Sequence, residues 1–405
     1  MNIAHFTNTY KPNVNGVVRS VSTFREGLTE LGHLVFIFAQ EAPKDYVDPE
    51  QFIFRYPGVN IPRFNYSLTL PSSSFVDELL PSLKLDVIHS NHPLLVGGAA
   101  ANQAEKFGLP LVFTFHTRYV EYAEGYTDYI PFSKSIVEGI VVDGLVKYIN
   151  RCQHVVTPSD SIKQTLEELA GTSDRVTTIP TGIDLDPFRK ADGRAVRQKY
   201  NLGDETVMVS VGRLAEEKNF KTLLSAVAEA AKKHDDLRLL LIGDGPQRND
   251  LEKYAQELGL GNRVIFTGLV PFEDIPDHLK AADIFSFASI TETQGLVTME
   301  AMAADLPVVA VDATGTSDVV TDGEEGLLTE NDSHALAQAL MRVLNDEALM
   351  ARLEDGVKEK AKSFDMMVQA EKMVGVYEQA IEDKKANRHI EVDGDYVKRK
   401  MKQRD

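Results

Sequence analysis

Twelve short apolar runs, in two sets of six, constrain this chain more than any other feature. The first set is Asn2–Thr7, Leu34–Ala39, Asp86–Ser90, Leu109–Phe115, His154–Pro158 and Val176–Ile179. The second is Thr206–Val211, Leu237–Ile242, Val264–Phe266, Asp283–Phe287, Pro307–Val311 and Gly326–Leu328. Most do not alternate between polar and apolar residues, which is how strands covered on both faces of a parallel sheet read. Helical periodicity fills the gaps, as in Val17–Leu31, Ser161–Leu169, Phe220–His234 and Ser333–Leu344. The β-α rhythm occurs twice, so the chain reads as two doubly wound α/β domains. A polar connection near Gly182–Gly203 marks the join. The predicted division is residues 1–185, 186–365, and a C-terminal segment 366–405 that returns toward the first domain. In that segment Met366–Lys384 is an amphipathic helix.

With 405 residues the chain can bury an ample core. Its net charge of −18 argues against non-specific nucleic-acid binding. Residues 1–190 carry −5 and residues 191–405 carry −13, so the first half could approach an anionic surface more readily. Cys152 stands alone, which excludes an intramolecular disulfide and a cysteine-based metal cluster, and a cytosolic setting fits. The first residues enter a strand directly rather than reading as a signal peptide. No run reaches transmembrane length, so any lipid is met from a surface, peripherally at the inner face of a membrane. Two stretches leave a membrane contact open. Phe132–Asn150 has a broad apolar face that suits a core helix or a helix dipping into a bilayer surface. The basic tail Tyr396–Arg404 suits a solvated terminus or a weak contact with anionic headgroups.

Ligands of open parallel sheets gather at the C-terminal ends of the strands. In the second half, one such end runs Ser289-Ile-Thr-Glu292-Thr-Gln294-Gly295-Leu296-Val297-Thr-Met-Glu300. The backbone N–H groups of Gly295, Leu296 and Val297 would open a helix, and a helix N-terminus suits a diphosphate. Glu300 and Glu292 can accept hydrogen bonds from the hydroxyls of a ribose and a hexose, worth about 1.5–3 kcal/mol each. Arg213 and Lys218 flank another helix entry and could hold a leaving diphosphate without a metal. Gly243-Asp-Gly-Pro246 permits a tight turn, and Gly268 opens a candidate wall for a base. No Walker-type lysine loop is present. Asp184/Asp186 and Asp393/Asp395 read as surface or linker pairs.

In the first half, the long Asn-rich loop after Asn2–Thr7 ends in Asn15-Gly16-Val17, where Gly16 would let the backbone approach a ligand. His116 ends a central strand. His89 and His92 lie near another strand end but are too weakly placed for metal ligands. The tyrosine-rich segment beginning at Tyr119 and Tyr122 could line an acceptor site.

Together these residues resemble the retaining glycosyltransferases of family GT4, which have the GT-B fold: two Rossmann-like domains facing across a cleft. The likeness rests on Gly212-Arg213…Lys218, Gly243-Asp-Gly-Pro246, Glu292-x7-Glu300, Asn15-Gly16-Val17 and Phe115-His116-Thr117. It implies that Arg213 and Lys218 hold donor phosphates, Glu300 the ribose and Glu292 the transferred sugar. His116 would bond that sugar from the first domain, with Gly16 close by, and neither a cofactor nor a metal would be required. Pro12-Asn-Val-Asn-Gly-Val17, His116-Thr-Arg-Tyr119 and Thr291-Glu-Thr-Gln-Gly-Leu296, with Gln294 where most members have Phe, lean toward diacylglycerol glucosyltransferases. One departure is Asp305, where glycine is usual; aspartate must adopt that turn. The expected reaction is retaining transfer of glucose from UDP-glucose to diacylglycerol or a glycolipid. A soluble acceptor such as a sugar phosphate or glycerate, or a sugar-nucleotide epimerase on the same fold, are the alternatives.

Overall fold

The computed structural model describes residues 1–61, 66–69, 74–116 and 134–392, with backbone alone at 59–61, 66–69, 74–75 and 134–138. Tyr119, Tyr122, the start of the Phe132–Asn150 helix and the basic tail lie outside the described residues. The chain divides into two compact units, Met1–Gly182 with Met366–Asp405, and Ile183–Asp365.

The first unit holds a sheet of seven parallel strands. In chain order its members are β1 (Asn2–Thr7), β2 (Leu34–Gln40), β3 (Ile53–Tyr56), β6 (Val87–Ser90), β7 (Leu111–Thr114), β8 (His154–Thr157) and β9 (Val176–Thr178). A separate antiparallel pair is formed by β4 (Gly58–Ile61) and β5 (Tyr66–Thr69). The spatial order is β3-β2-β1-β6-β7-β8-β9, so the winding reverses between β1 and β6. Helices α1 (Gly16–Glu30), α2 (Val96–Phe107), α3 (Lys134–Ile149) and α4 (Asp160–Ala170) connect the strands.

Successive residues of β1 and β2 serve opposite faces, and both faces are buried. Ala4, Phe6, Phe36 and Phe38 join one core, with residues of α2 and α3. Ile3, Val35, Ile37 and Ala39 join the other, with α1 and the C-terminal helix Met366–Lys385. On α1, a Cβ built on Gly27 would lie 2.8 Å from Ala370 Cβ, so Gly27 allows that helix to approach closely. Within α3, Leu145, Tyr148 and Ile149 are buried in the core while Ile140 is exposed. The described part of that helix is therefore a core helix along one face.

The second unit has six parallel strands: β10 (Val207–Val211), β11 (Arg238–Ile242), β12 (Val264–Gly268), β13 (Ile284–Phe287), β14 (Val308–Val311) and β15 (Gly326–Thr329). Their order is β12-β11-β10-β13-β14-β15, reversing between β10 and β13. Helices α5 (Phe220–Ala230), α6 (Arg248–Glu257), α7 (Leu296–Ala303), α8 (Ser333–Asn345) and α9 (Glu347–Ser363) cover it. The turn between α7 and β14 carries Asp305 at φ 63, the left-handed conformation in which glycine is unstrained. Aspartate tolerates it, and its carboxylate meets Lys280 Nζ at 2.5 Å.

Strand β3 escapes the sequence reading because Phe52–Tyr56 follows a loop rich in Asp and Pro and contains Arg55. It is an edge strand whose pairing to β2 supplies what its own pattern lacks. The predicted strands otherwise recur, with ends shifted by one or two residues.

Candidate active site

In the second unit, the C-terminal ends of β10, β11 and β12 come together through glycine. Gly212 N–H bonds Ile242 O, and Gly243 N–H bonds Gly268 O, both at 3.0 Å. Gly243 sits at φ 136, and a Cβ there would lie 2.0 Å from Gly212 O. Any side chain at Gly243 would separate these backbones. Gly268, at φ 75, closes β12 and leads to an exposed Leu269.

Across the reversal point, the loop after β13 meets the loop after β10. Lys218 Nζ is paired with Glu292 Oε1, and Ser289 Oγ donates to the same oxygen at 2.9 Å. Asn219, at φ 54, donates its side-chain amide to Ala288 O at 3.2 Å and so ties the two loops together. Arg213 is mostly exposed and paired with Glu217. Lys218 and Glu292 are thus brought together directly, and Arg213 stands at the same sheet edge with its guanidinium in solvent.

Gly295 precedes α7 at φ 71, and a Cβ there would lie 2.7 Å from Gly315 O. Thr298 and Met299 donate to Gly295 O, so the N–H groups of Leu296 and Val297 have no acceptor inside the helix. Glu300 lies one turn in and is only 3% exposed. Gln294 is also buried, its Nε2 3.6 Å from Met299 Sδ, so its side chain is turned into the protein.

Gly315 escaped the sequence reading. It follows β14 in Asp312-Ala-Thr-Gly315-Thr-Ser-Asp318, at φ 83, and a Cβ there would lie 2.6 Å from Glu292 Cβ. It therefore backs Glu292 directly. A glycine in a polar loop after a predicted strand of the same sheet was the available signal.

In the first unit, Asn15 caps α1: its Oδ1 accepts from Val18 N–H at 3.0 Å, and its Nδ2 donates to Thr9 Oγ1 at 3.2 Å. The side chain expected to meet an acceptor is thus engaged in starting the helix, and Gly16 is the first helical residue. The loops after β1, β2 and β3 enclose a cavity of about 580 Å³, lined by residues 9–15, 40–44, Arg55 and Gly58. Its walls are braced by Arg55, which donates to Lys11 O at 2.7 Å and pairs with Asp48. Tyr10 Oη and Lys11 Nζ both reach Glu50, at 2.7 and 2.5 Å.

His116 follows β7 and is nearly buried; its Nε2 lies 3.0 Å from Asn91 Oδ1. Burial, then the neighbouring His92 and His5, lowers its pKa to about 3, so the ring is neutral. His92 Nδ1 accepts from Asn8 N–H at 3.1 Å, which joins the β1 and β6 loops. Asp184 and Asp186 are held locally: Asp186 N–H donates to Asp184 Oδ1, and Asp186 pairs with Arg189 and Lys190.

Residues 14–187 match the family model for Glycosyltransferase Family 4, and residues 192–360 match that for glycosyl transferases group 1. The alpha-monoglucosyldiacylglycerol synthase of Streptococcus pneumoniae is 32% identical over 352 residues, 85% of this chain and 78% of that protein. The chain belongs to glycosyltransferase family 4. The synthase of the same name from Acholeplasma laidlawii is 29% identical over 403 residues, covering 96% of this chain and all of that protein. Among solved structures, Anabaena HepE in complex with UDP superposes with a TM-score of 0.75 at 20% identity, over 93% of this chain and all of that one. The fold of this glycosyltransferase is accordingly GT-B, with two Rossmann-like units. Among the described residues, no helix is long and apolar enough to cross a membrane.

Proposed function

We propose that this glycosyltransferase moves glucose from UDP-glucose to diacylglycerol, with retention at the anomeric carbon. The observation that carries the transfer chemistry is the gathering of Arg213, Lys218, Glu292 and the start of α7 at one sheet edge. Charge grows on the departing diphosphate as the glycosidic bond breaks. Two cations and a helix N-terminus stabilise that charge and lower the barrier without a metal ion. The same phosphate, on the face it leaves, accepts the proton of the incoming hydroxyl, which accounts for retention. Glu292, released from Lys218, accepts hydrogen bonds from sugar hydroxyls; Glu300 serves the ribose and His116 the sugar. The names of the pneumococcal and Acholeplasma relatives support glucose and diacylglycerol.

A soluble acceptor is the second reading. A D-inositol 3-phosphate glycosyltransferase from Stackebrandtia nassauensis is 32% identical over 314 residues, 73% of this chain and 69% of that protein. One experiment separates the two. Labelled UDP-glucose, GDP-mannose and ADP-glucose are offered with diacylglycerol in vesicles, inositol phosphate and glycerate, and the product's anomeric configuration is read by NMR. An α-glucosyl lipid formed from UDP-glucose is expected. Label in a soluble product alone would reject the lipid acceptor, and a β-linked product would reject retention.

A further inference from the structure

The face of the first sheet beneath the C-terminal helix is apolar at Ile3, Val87 and Val112. Two residues along each strand, on that same face, stand His5, His89 and Thr114. Three buried polar side chains in an apolar layer need partners within it. Tyr377, from the C-terminal helix, supplies the first: its Oη lies 3.1 Å from His5 Nε2 and 2.7 Å from His89 Nδ1. His89 Nε2 lies 2.7 Å from Thr114 Oγ1. On the other side of His5, Asn91 Nδ2 lies 3.5 Å from His5 Nδ1 and 3.4 Å from Phe6 O, while Asn91 Oδ1 meets His116 Nε2 at 3.0 Å.

The protons of this chain have one self-consistent placement, and the Phe6 carbonyl fixes it. A carbonyl only accepts, so Asn91 must turn its nitrogen toward Phe6 and its oxygen toward His116. That oxygen requires a proton on His116 Nε2. The second amide proton of Asn91 points to His5 Nδ1, which is therefore bare, and His5 Nε2 is protonated and donates to Tyr377. Tyr377 has one proton and gives it to His89 Nδ1; His89 Nε2 then donates to Thr114. Each ring, amide and phenol proton placed here meets an acceptor with no group charged. Burial favours the same state, lowering the pKa of His5 to about 3 and that of His89 well below its usual value.

We infer that Asn91 is a positioning residue for His116, fixing the neutral imidazole with its proton on Nε2 and its lone pair on Nδ1, and that Tyr377 holds the two histidines behind it. His116 then meets a sugar hydroxyl as a hydrogen-bond acceptor rather than as a cationic donor. This assignment rests on the proposed contact between His116 and the donor sugar.

The test is long-range proton–nitrogen NMR of the full chain labelled with nitrogen-15 in its histidine rings, with His116→Gln identifying the His116 signals. The expected spectrum shows His116 Nδ1 unprotonated and Nε2 protonated. Asn91→Ala should collapse that difference toward a tautomer average and lower kcat by up to about 100-fold, as misplacement of a group that orients substrate does. Binding of free nucleotide diphosphate should be unchanged. Tyr377→Phe, which keeps the packed ring, should mix the tautomers of His5 and His89. A proton on His116 Nδ1, a charged His116 ring, or an Asn91→Ala spectrum matching the wild type would overturn the inference. If the predicted tautomer is found but His116→Gln transfers sugar at the wild-type rate, the sugar contact fails and the proton placement stands.

Discussion

Lys218 and Glu292 form an ion pair across the reversal point of the second sheet, their side chains 21% and 15% exposed. The cation proposed to bind phosphate is thereby paired with the carboxylate proposed to bind sugar. Neither charge is left uncompensated. On the proposed mechanism a diphosphate competes for Lys218 and so frees Glu292 for the sugar. Lys218→Ala should therefore lower kcat by about 100-fold or more, comparable to the loss of a preorganised charge-stabilising donor. Steady-state turnover with saturating donor checks this. Arg213→Ala should act in the same direction, and wild-type turnover in both variants would remove the phosphate role.

The pair also has a stability consequence. It is partly exposed, so its coupling should be modest, about 1 kcal/mol or less. A double-mutant cycle of Lys218→Ala and Glu292→Ala, read by urea unfolding, measures it. Coupling of several kcal/mol would mean that the pair is a structural element first.

Gly243 offers a sharper mechanical test. Gly243→Ala combines a backbone at φ 136 with a Cβ 2.0 Å from Gly212 O. Both the conformation and the clash oppose it, so a loss of roughly 3 kcal/mol or more is expected. Gly32→Ala, at φ 84 with open space around the added carbon, isolates the conformational part and should cost about 1–2 kcal/mol. Chemical denaturation of the two variants separates sterics from backbone strain.

These glycines show how far the sequence could be read. The strands β1, β2, β6 and β10–β15 were legible because a strand buried on both faces must be continuously apolar, and the helices because each needs one apolar face. Glu292, Lys218 and Gly295 were legible as loop residues at strand ends. The contact between Lys218 and Glu292 was not, since 74 residues separate them and only the strand order brings them together. Asn15 reads from its loop position as a ligand group; the structure adds that its local chemistry, a short amide before a helix, is that of a cap. Gln294 reads from its spacing as a donor-binding residue; its place beside Met299 depends on packing that no spacing reveals. The link from His116 through Asn91 and His5 to Tyr377 joins the first, sixth and seventh strands to a helix near the C-terminus. Only the fold could disclose it.

Asn15→Ala should cost about 1 kcal/mol of stability, through loss of the bond to Val18 N–H, with little effect on chemistry unless the loop moves. Thermal unfolding and kcat measured on the same preparation distinguish a cap from a substrate ligand.

Metal removal probes the proposed source of charge stabilisation. If Arg213, Lys218 and the start of α7 suffice, exhaustive treatment with EDTA should leave the transfer rate unchanged, and added magnesium should not raise it. A strong drop that magnesium restores would reassign the stabilisation of the diphosphate to a metal ion.

The buried histidines set a pH dependence of stability. The pKa values of His5 and His116 fall to about 3, and those of His92 and His154 to about 4, with burial the main cause in each. In the unfolded chain these rings titrate near 6.5. Between those values the unfolded state binds more protons than the folded one, so stability rises with pH. It is fully present above about pH 6.5 and is lost as pH falls toward 3 to 4. Each ring contributes a slope of at most about 1.4 kcal/mol per pH unit within the window. Unfolding free energies measured from pH 4.5 to 7.5 should therefore fall steeply on the acid side. His154→Gln should flatten the slope by about one proton, because its ring Nε2 meets Thr177 Oγ1, at 2.9 Å, and glutamine can keep that bond. A flat profile would show that these rings take up protons in the folded protein as they do in the unfolded chain, and a slope unchanged by His154→Gln would show this for His154.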